Sequence, residues 1–155
     1  MPKTIINGTS GDDVIFGSSL DEIINGLGGD DFLVGSDGDD DIYGDDGNDL
    51  IDGYDGKDDL YGGSGSDTFY FGWYTYSPDH GGERDLIGDF EAQDKIDLSN
   101  MRLDPLVPIS FADQIEVVDL PGAKSRVLFD YNSDGVHDMG VDIVGAVPVE
   151  SNFIL

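Results

Sequence analysis

The sequence predicts an all-β protein, and three observations lead to this fold class. Residues 8–70 are seven uninterrupted copies of a nine-residue repeat, each of which begins with glycine. In every copy the sixth residue is acidic and the eighth is large and apolar. After residue 106 the pattern changes to short alternating segments separated by turn signals, which is typical of antiparallel strands. We therefore expect a coil of parallel strands over residues 1–72 and a capping region over residues 73–155.

Each repeat is expected to form one tight turn and one short strand. Its fourth residue is glycine in six copies and Leu20 in the second, and glycine allows the turn to curl tightly. The last three residues have room for a short strand whose middle residue faces one side. One apolar residue per strand forms a core only by stacking on its copies, so two repeats should make one turn of the coil. The residues expected in this core are Ile15, Ile24, Leu33, Ile42, Ile51, Leu60 and Phe69.

Such a coil stacks the acidic sixth residues, because each repeat lies roughly 4.8 Å from the next but one. Two bare carboxylates at that spacing would repel by ~3 kcal/mol at an effective dielectric constant near 20. Residues 8–70 hold 18 acidic residues and a single basic residue, Lys57. Ca²⁺ accepts about six to eight oxygens in loose geometry, turn carbonyls included, whereas Mg²⁺ demands a strict octahedron. The sequence therefore predicts calcium between the stacked loops.

The repeats resemble the calcium-binding nonapeptide of RTX proteins, and GGSGSDTFY at residues 62–70 fits that pattern at every position. The resemblance implies a right-handed parallel β-roll, or β-helix. It also implies that the lower loop of each pair offers the carbonyls of positions two and four and its carboxylate. The upper loop would offer the carbonyls of positions one and three and its own carboxylate. Seven repeats allow five such sites, and we expect about four to six calcium ions in all.

The ligands that the resemblance implies are assigned residue by residue. A solvated acidic stretch is the weaker alternative, because disorder has no need of an apolar residue at every ninth position. The site of Leu20, Glu22 and Asp40 departs from the pattern. The first site would use Thr9, Gly11, Asp13, Gly26, Gly28 and Asp31, and the last Asp45, Gly47, Asp49, Gly62, Ser64 and Asp67. The remaining loop candidates are Leu27, Gly29, Gly35, Ser36, Asp37, Gly38, Gly44, Asp46, Gly53, Asp55 and Asp58.

Positions seven and nine of the repeats are expected to face outward. On the even-numbered repeats Tyr43 and Tyr61 should stack at position nine, and a structural aromatic pair is favoured over a sugar platform. Ile5 and Ile6 should begin the first strand. On the odd-numbered repeats an apolar ladder is interpreted as a contact surface for the C-terminal half or for another domain. That ladder consists of Val14, Phe32, Leu50 and Thr68.

Residues 85–99, DLIGDFEAQDKIDLS, resemble the segment that follows the repeats in serralysin-type metalloproteases and in the R-modules of mannuronan epimerases. The resemblance implies that the coil is capped here. It also implies that some of Asp85, Asp89, Asp94 and Asp97 close a further metal site, and we select Asp89 and Asp94. The alternative, given equal weight, is that these carboxylates decorate a β-hairpin.

The C-terminal region predicts antiparallel strands at 115–120, 126–131 and 139–144, with a turn at 121–122 and a last strand at the terminus. DYNSDGVHD at 130–138 is spaced like the first part of an EF-hand loop, with Asp130 and Asp134 as candidate ligands. Val141 stands where the bidentate glutamate is expected, so a weak calcium site and a plain hairpin turn are equal alternatives. The end, VPVESNFIL, partly resembles the export signal of serralysin-type exoproteins.

The net charge of −27 argues against nucleic acid and against anionic membranes as partners. The chain has no cysteine and no apolar run long enough to span a membrane. Its N-terminal residues lack the apolar stretch of a signal peptide. Calcium affinities of roughly 0.1 to 1 mM are nevertheless typical of extracellular modules. The RTX resemblance implies export from a Gram-negative bacterium through a type I secretion apparatus, which makes the protein secreted and extracellular.

No catalytic motif is present: the sequence lacks HExxH, GxSxG, a cysteine nucleophile and a phosphate-binding glycine loop. We therefore expect a non-catalytic module that folds on calcium outside the cell and supports an attached catalytic domain of a secreted metalloprotease or alginate-modifying enzyme. The alternative is a polysaccharide-binding module like the epimerase R-modules, which act on alginate. Binding a polyanion needs a basic stripe, and only Lys124 and Arg126 lie close together in the sequence.

Overall fold

Two β-sheets run along the coil and contain every strand in the described part of the chain. The computed structural model describes residues 2–72, 84–100, 115–129 and 139–155. The strands are β1 (Thr4–Asn7), β2 (Val14–Phe16), β3 (Glu22–Asn25), β4 (Phe32–Asp37), β5 (Asp41–Tyr43), β6 (Leu50–Asp55), β7 (Asp59–Tyr61), β8 (Thr68–Tyr70), β9 (Leu86–Phe90), β10 (Lys95–Asp97), β11 (Ile115–Leu120), β12 (Lys124–Phe129), β13 (Met139–Gly145) and β14 (Phe153–Ile154). A short 3-10 helix, Glu150–Asn152, precedes β14.

The seven repeats fold as predicted, each into a turn followed by a strand at its last three positions. We call each turn with its strand a rung and number the rungs by their repeats. Strands β1, β3, β5 and β7 lie side by side in an eight-stranded sheet, and β2, β4, β6 and β8 in a six-stranded sheet. The pairing is parallel and in register, so that Leu33 faces Ile51 across β4 and β6. Two repeats therefore make one turn, and Ile5 and Ile6 lie in the first strand, β1, as predicted.

The eighth positions form the core between the two sheets. From the second rung to the seventh, each of these side chains is 0 % exposed. At the lower end Ile15 and Ile6 are only partly buried and pack against the same cluster. Full burial of an aliphatic or phenyl side chain stabilises by about 1.5 to 3 kcal/mol, so this single column supplies much of the stability of the roll.

Strands β9 and β10 continue the coil beyond the repeats. Strand β9 pairs in parallel with β7, with Ile87 beside Leu60, and β10 pairs in parallel with β8, with Ile96 beside Phe69. Both isoleucines are 0 % exposed and extend the core column. Residues 85–97 are thus an eighth and a ninth rung. The β-hairpin alternative is wrong, because β9 and β10 lie in different sheets.

The antiparallel prediction is correct for β11, β12 and β13, which we call the extension. They pair in antiparallel fashion, and β13 joins them to the roll by pairing in parallel with β9. The prediction is wrong for the last strand, since β14 pairs in parallel with β10. The amide of Leu98 donates to the carbonyl of Ile154 at 2.8 Å, so β14 continues the hydrogen-bonding pattern of the rung beneath it.

The two outward faces of the roll are in the predicted register. The rings of Tyr43 and Tyr61 are stacked, with centroids 4.8 Å apart and an interplanar angle of 7°, which confirms the structural pair. Since a Cβ at Gly88 would collide with the Tyr61 ring, that ring lies directly over the next rung. On the other sheet Val14 and Phe16 are 67 % and 60 % exposed. The contact role of the ladder at Val14, Phe32, Leu50 and Thr68 stays a prediction, and residues 130–138 lie outside the described residues.

Candidate metal centre

The sixth-position side chains form a buried column along each edge of the roll. From Glu22 to Asp67 they are no more than 3 % exposed. From Asp31 upward, one oxygen of each carboxylate accepts a hydrogen bond from the backbone amide of the sixth residue one turn below, as when Asp49 Oδ1 accepts from the Asp31 amide at 2.8 Å. The other bonds of this kind run from Asp13 to Asp31, Glu22 to Asp40, Asp40 to Asp58, Asp49 to Asp67, Asp58 to Asp85 and Asp67 to Asp94.

In rungs three to seven the second oxygen of the sixth-position carboxylate lacks a hydrogen-bond partner among the described residues. This oxygen, Oδ2, is buried. A buried ionised oxygen without a partner is costly, and native proteins compensate it with a charge or a metal ion. The five carboxylates concerned are Asp31, Asp40, Asp49, Asp58 and Asp67.

The unpartnered oxygens face the first glycine of their own repeat. A Cβ built on Gly44 would collide with Asp49 Oδ2 and would lie 2.6 Å from the carbonyl oxygen of Gly62, one turn above. The same convergence of a carboxylate oxygen and the carbonyl one turn above recurs at Gly26 and Gly35, and also at Gly8 and Gly17 of the first two repeats. The missing side chain at position one therefore leaves room for a lower carboxylate and an upper carbonyl to converge. These are two of the ligands that the repeat pattern implies.

Positions two and four of rungs three to seven have left-handed backbone conformations. Position two has φ of 79° at Leu27, 80° at Ser36, 70° at Asp45 and 74° at Tyr54. Position four is always glycine here, and at Gly47, with φ of 145°, a Cβ would overlap the carbonyl oxygen of the glycine one turn below. Left-handed conformations are unfavourable for residues with a side chain, and such strain clusters at ligand clamps.

Burial raises the pKa of the column carboxyls. The pKa of Asp40, Asp49 and Asp67 rises to about 6, and that of Asp58 to about 8. Desolvation is the main cause in each, and a carboxylate one turn away adds repulsion, as Asp85 does for Asp58. Burial also raises the pKa of Asp31. At neutral pH the carboxyls with a pKa of about 6 are mostly ionised despite their surroundings, whereas Asp58 is mostly protonated. A bound cation would favour the ionised form of all of them.

The first two loops have a different arrangement. Asp13 Oδ2 accepts from the Thr9 amide at 2.6 Å and from the Thr9 hydroxyl at 2.9 Å. The Glu22 carboxylate likewise accepts from the Ser18 amide at 3.0 Å and from its hydroxyl at 2.5 Å. The left-handed residues begin only at the third repeat. Among the sixth-position carboxylates of the seven repeats, those of the first two loops are therefore the ones that already have donors within their own loop.

At the upper end, the predicted ligands Asp89 and Asp94 both lie on the roll edge. Asp89 accepts from the amides of Gly62 and Gly63 at 3.0 and 2.9 Å. Asp94 Oδ1 accepts from the Asp67 amide at 3.1 Å, as a sixth-position residue does, and Asp94 Oδ2 accepts from the Glu91 amide at 2.7 Å. Burial raises the pKa of both carboxyls.

Sequence reasoning left Asp85 out of the selected ligands, although it takes the sixth-position role of the eighth rung, accepting from the Asp58 amide at 2.9 Å. The signal was present, because Asp85 and Asp94 are nine residues apart and each precedes an isoleucine by two. Asp85 also lies eighteen residues after Asp67 and so keeps the nine-residue frame, but residues 71–84 between them lack the repeat pattern, and this hid the spacing.

A second ladder at position five was also missed. Its side chain accepts from the position-five amide one turn above, as when Asp12 Oδ1 accepts from the Asp30 amide at 2.9 Å. The ladder therefore runs opposite to that of position six. Further bonds of this kind reach Asp21, Asp30, Asp39 and Asn48 from the amides of Asp39, Asn48, Lys57 and Ser66.

The donor set defines which metal could fit. Among residues 2–72, 84–100, 115–129 and 139–155, no three acidic or histidine side chains lie close enough to hold an ion by themselves. Any ion between two loops would use two carboxylates and several backbone carbonyls. Asp46 is exposed and accepts from the Ser64 hydroxyl at 2.7 Å, so its carboxylate lies away from the buried column. An all-oxygen set of this kind fits Ca²⁺ and does not fit zinc, which prefers nitrogen and sulfur.

The outer face of the eight-stranded sheet carries a cluster of basic residues. Arg126 makes an ion pair with Asp142, and its Nη2 donates to Asp142 Oδ2 at 2.9 Å. The pKa of Asp142 is lowered, first by this hydrogen bond and then by the charges of Arg126, Arg84 and Lys124. We call Arg84, Lys124 and Arg126 the cationic cluster. The sequence showed only the pair Lys124 and Arg126, because Arg84 is distant in the chain.

The nonapeptide repeat, the two parallel sheets and the carboxylate columns define the chain as an RTX-type β-roll module. The family model described as Peptidase M10 serralysin C terminal matches residues 4–155. The chain therefore belongs to the serralysin C-terminal family.

Two solved structures are similar to the chain. Both are subunits of a mannuronan C5-epimerase from Azotobacter vinelandii. The R2 subunit is 26 % identical, with a TM-score of 0.59, over 99 % of this chain and 92 % of that one. The R3 subunit is 27 % identical, with a TM-score of 0.55, over 98 % of this chain and 82 % of that one. No curated protein matches the sequence. Within the described residues, no helix has the length and apolar character needed to cross a membrane.

Proposed function

We propose that this chain is a calcium-binding, non-catalytic module that folds when it meets Ca²⁺ outside the cell. The observation that carries the proposal is the set of five buried carboxylate oxygens without a donor in rungs three to seven. Each is next to the first glycine of its repeat, and in rungs three to five the carbonyl of the glycine one turn above converges on the same point. Membership of the serralysin C-terminal family supports the same function.

The residues of the roll would act as follows. Without an ion, the stacked carboxylates repel one another, and their desolvation opposes folding. Bound calcium would neutralise this charge and take the unpartnered oxygens as ligands. The backbone amides of the sixth residues already fix one oxygen of each carboxylate, so the second is held in place for the ion. Since the site exists only between two formed rungs, binding stabilises the folded state alone.

The proposal extends to export. Where calcium is scarce, charge repulsion would keep the chain unfolded and able to pass through a type I secretion apparatus. Folding outside would then support an attached catalytic domain. The similarity of the chain to numbered subunits of a larger epimerase supports a modular role of this kind.

The decisive experiment is a calcium titration of the chain followed by far-ultraviolet circular dichroism, with Mg²⁺ as the control ion. We expect a disordered spectrum in chelator and a steep change to β structure with calcium but not with magnesium. A chain that is already fully folded in chelator, and whose thermal midpoint does not move with calcium, would contradict the proposal.

A second candidate function, binding of an anionic polysaccharide such as alginate, is favoured by the cationic cluster. Its three residues are three of the seven basic residues in the chain and converge on one outer face. Of the three positive charges, that of Arg126 is paired with Asp142. The stacked Tyr43 and Tyr61 do not add a sugar platform there, because the two rings cover each other's faces.

Calorimetric titration of the calcium-loaded chain with alginate oligomers tests this second function. The variant Lys124→Glu should abolish the heat of binding, whereas Lys57→Glu makes the same charge change on a loop of the roll and should leave it intact. No heat with the wild-type chain, or an equal loss in both variants, would exclude the cationic cluster as a polysaccharide site.

A further inference from the structure

The loops of the roll fall into two classes, and the difference concerns the donors around the sixth-position carboxylate. In rungs three to seven one oxygen has no donor and is buried. In rung one Asp13 Oδ2 accepts from both the amide and the hydroxyl of Thr9. In rung two the Ser18 amide donates to Glu22 Oε2 and the Ser18 hydroxyl donates to Glu22 Oε1, so that each oxygen has one donor. A carboxylate that already accepts from two donors within its own loop has less need of a cation.

The backbone separates the same two classes independently of the side chains. Left-handed residues occupy positions two and four of every loop from the third repeat onward, whereas Thr9, Gly11, Ser18 and Leu20 are not left-handed. A hydroxyl at position two does not by itself produce the first class. Ser36 has one too, yet its φ is 80°, and Asp40 Oδ2 remains without a donor.

The two classes of loop differ because the first two loops have no repeat packed beneath them. Strands β1 and β2 are the edge strands of their sheets, so the first two loops have no repeat beneath them. Higher up, the fourth residue is pressed against a carbonyl of the loop below, as Gly47 is against Gly29. Freed from that contact, the first two loops can turn the amide of position two onto their own carboxylate. This also explains why Leu20 is tolerated at a position that is glycine in the six other repeats.

We propose that the calcium sites of this chain begin at the third rung, and that Thr9 and Ser18 close the first two loops in place of an ion. The inference rests on the proposed calcium function and refines it. It differs from the ligand assignment by repeat pattern alone, which placed calcium in the first loop at Thr9, Gly11 and Asp13. Rungs one and two, at the lower end of the roll, would then fold without a metal ion, and the calcium-dependent rungs would pack on them.

The test compares two double variants of the whole chain, each with two charges removed, one on each edge. We expect Asp13→Asn combined with Glu22→Gln to retain the wild-type number of calcium ions, counted by native mass spectrometry or by elemental analysis after gel filtration. Asp40→Asn combined with Asp49→Asn should lose ions. Fewer ions in the first variant would overturn the inference while leaving the calcium function standing.

Two further outcomes separate the possible failures. If the wild-type chain binds no calcium, the proposed function itself fails. If the first variant does not fold, a crystal structure of the calcium-loaded wild-type chain decides the matter through its anomalous signal. Calcium between Asp31 and Asp49 with none between Asp13 and Asp31 supports the inference, and calcium between Asp13 and Asp31 contradicts it.

Discussion

The roll and the extension arrange their charges in opposite ways. In the roll, like charges are stacked: the carboxyl of Asp58 is 0 % exposed, has Asp85 and Asp40 as neighbours, and has its pKa raised to about 8. In the extension, Asp142 is paired with Arg126 across two strands, and the pKa of its carboxyl is lowered. The carboxylate of the extension is therefore neutralised by a basic residue of the same chain, whereas the carboxylates of the roll depend on cations from the solvent. The stability of the two regions should respond differently to calcium and to pH.

The largest expected effect is that of Asp49→Asn, because this carboxylate belongs to two candidate sites. One site loses about 2.7 kcal/mol of stabilisation when calcium is present at 100 times its dissociation constant, so two sites should lose about 5 kcal/mol. Urea unfolding at saturating calcium measures the loss. In chelator the same variant should show no less β structure by circular dichroism than the wild type, since a buried repelling charge is gone. A variant that loses β structure in chelator as well would contradict the dependence of the roll on calcium.

The next effect concerns pH in the absence of calcium. The carboxyls of Asp40, Asp49 and Asp67 have a pKa of about 6 in the folded chain, and Asp58 about 8, above the ordinary value in the unfolded chain. The folded state therefore binds more protons between about pH 4 and 8, and its stability should rise as pH falls through this window.

Far-ultraviolet circular dichroism in chelator at pH 8, 6.5 and 5 checks this sign, because a chain that is disordered at pH 8 should gain β structure as the carboxyls are protonated. With saturating calcium the trend should weaken or reverse, because protons then compete with the ion for the same oxygens. A β content in chelator that falls steadily from pH 8 to 5 would contradict the raised pKa values of the column.

In the extension, Asp142→Asn should cost at most about 1 kcal/mol, since the ion pair with Arg126 is partly exposed to solvent. The loss of unfolding free energy should be the same at saturating calcium and at a lower free calcium concentration, set with chelator, at which the chain is still partly folded. A loss that grows with calcium would mean that Asp142 is coupled to the metal sites. The measurement is urea unfolding, with Lys57→Met as a control charge change on the roll.

The smallest expected effect is an increase in stability, for the variant Leu27→Gly. Leu27 is 47 % exposed and has φ of 79°, which a residue with a Cβ adopts only at a cost. Leu27→Gly should therefore stabilise the third loop by about 0.5 kcal/mol, after allowance for the extra freedom of glycine in the unfolded chain. Leu20→Gly is the matched control and should bring no gain, because Leu20 is not left-handed. A loss in the first variant would show that the Leu27 side chain makes a contact that outweighs the strain.

Most of the roll could be predicted from the sequence because its geometry repeats. One apolar residue and one acidic residue per nine fix the period, and the period fixes which residues meet across a sheet, as Leu33 meets Ile51. The eighth and ninth rungs were not predicted as rungs, because residues 71–84 lack the repeat pattern, although Asp85 lies eighteen residues after Asp67 and so keeps the nine-residue frame. Position five was overlooked because its residues vary from aspartate to lysine while their backbone amides do the bonding.

The sequence also could not distinguish the two classes of loop. Thr9 and Ser36 are both hydroxyl residues at position two, and only the presence of a loop beneath makes the second left-handed. The direction of β14 could not be predicted from the sequence either. Two residues are too few to carry a pattern, and their pairing depends on which sheet edge the chain reaches. The metal ligands as a set stay a prediction.

The opposite directions of the ladders at positions five and six have a consequence for how such a chain can change its length. Positions five and six of each loop both form hydrogen bonds to the loop one turn away on the same edge of the roll. Each loop must therefore lie directly above another loop of that edge. Removing a single repeat would move all later strands to the opposite sheet, and β9 would no longer offer its edge to β13. Only even changes in copy number preserve the arrangement. The number of repeats is thereby restricted by parity, and a lineage of such modules should lengthen or shorten in steps of eighteen residues, about one full turn each.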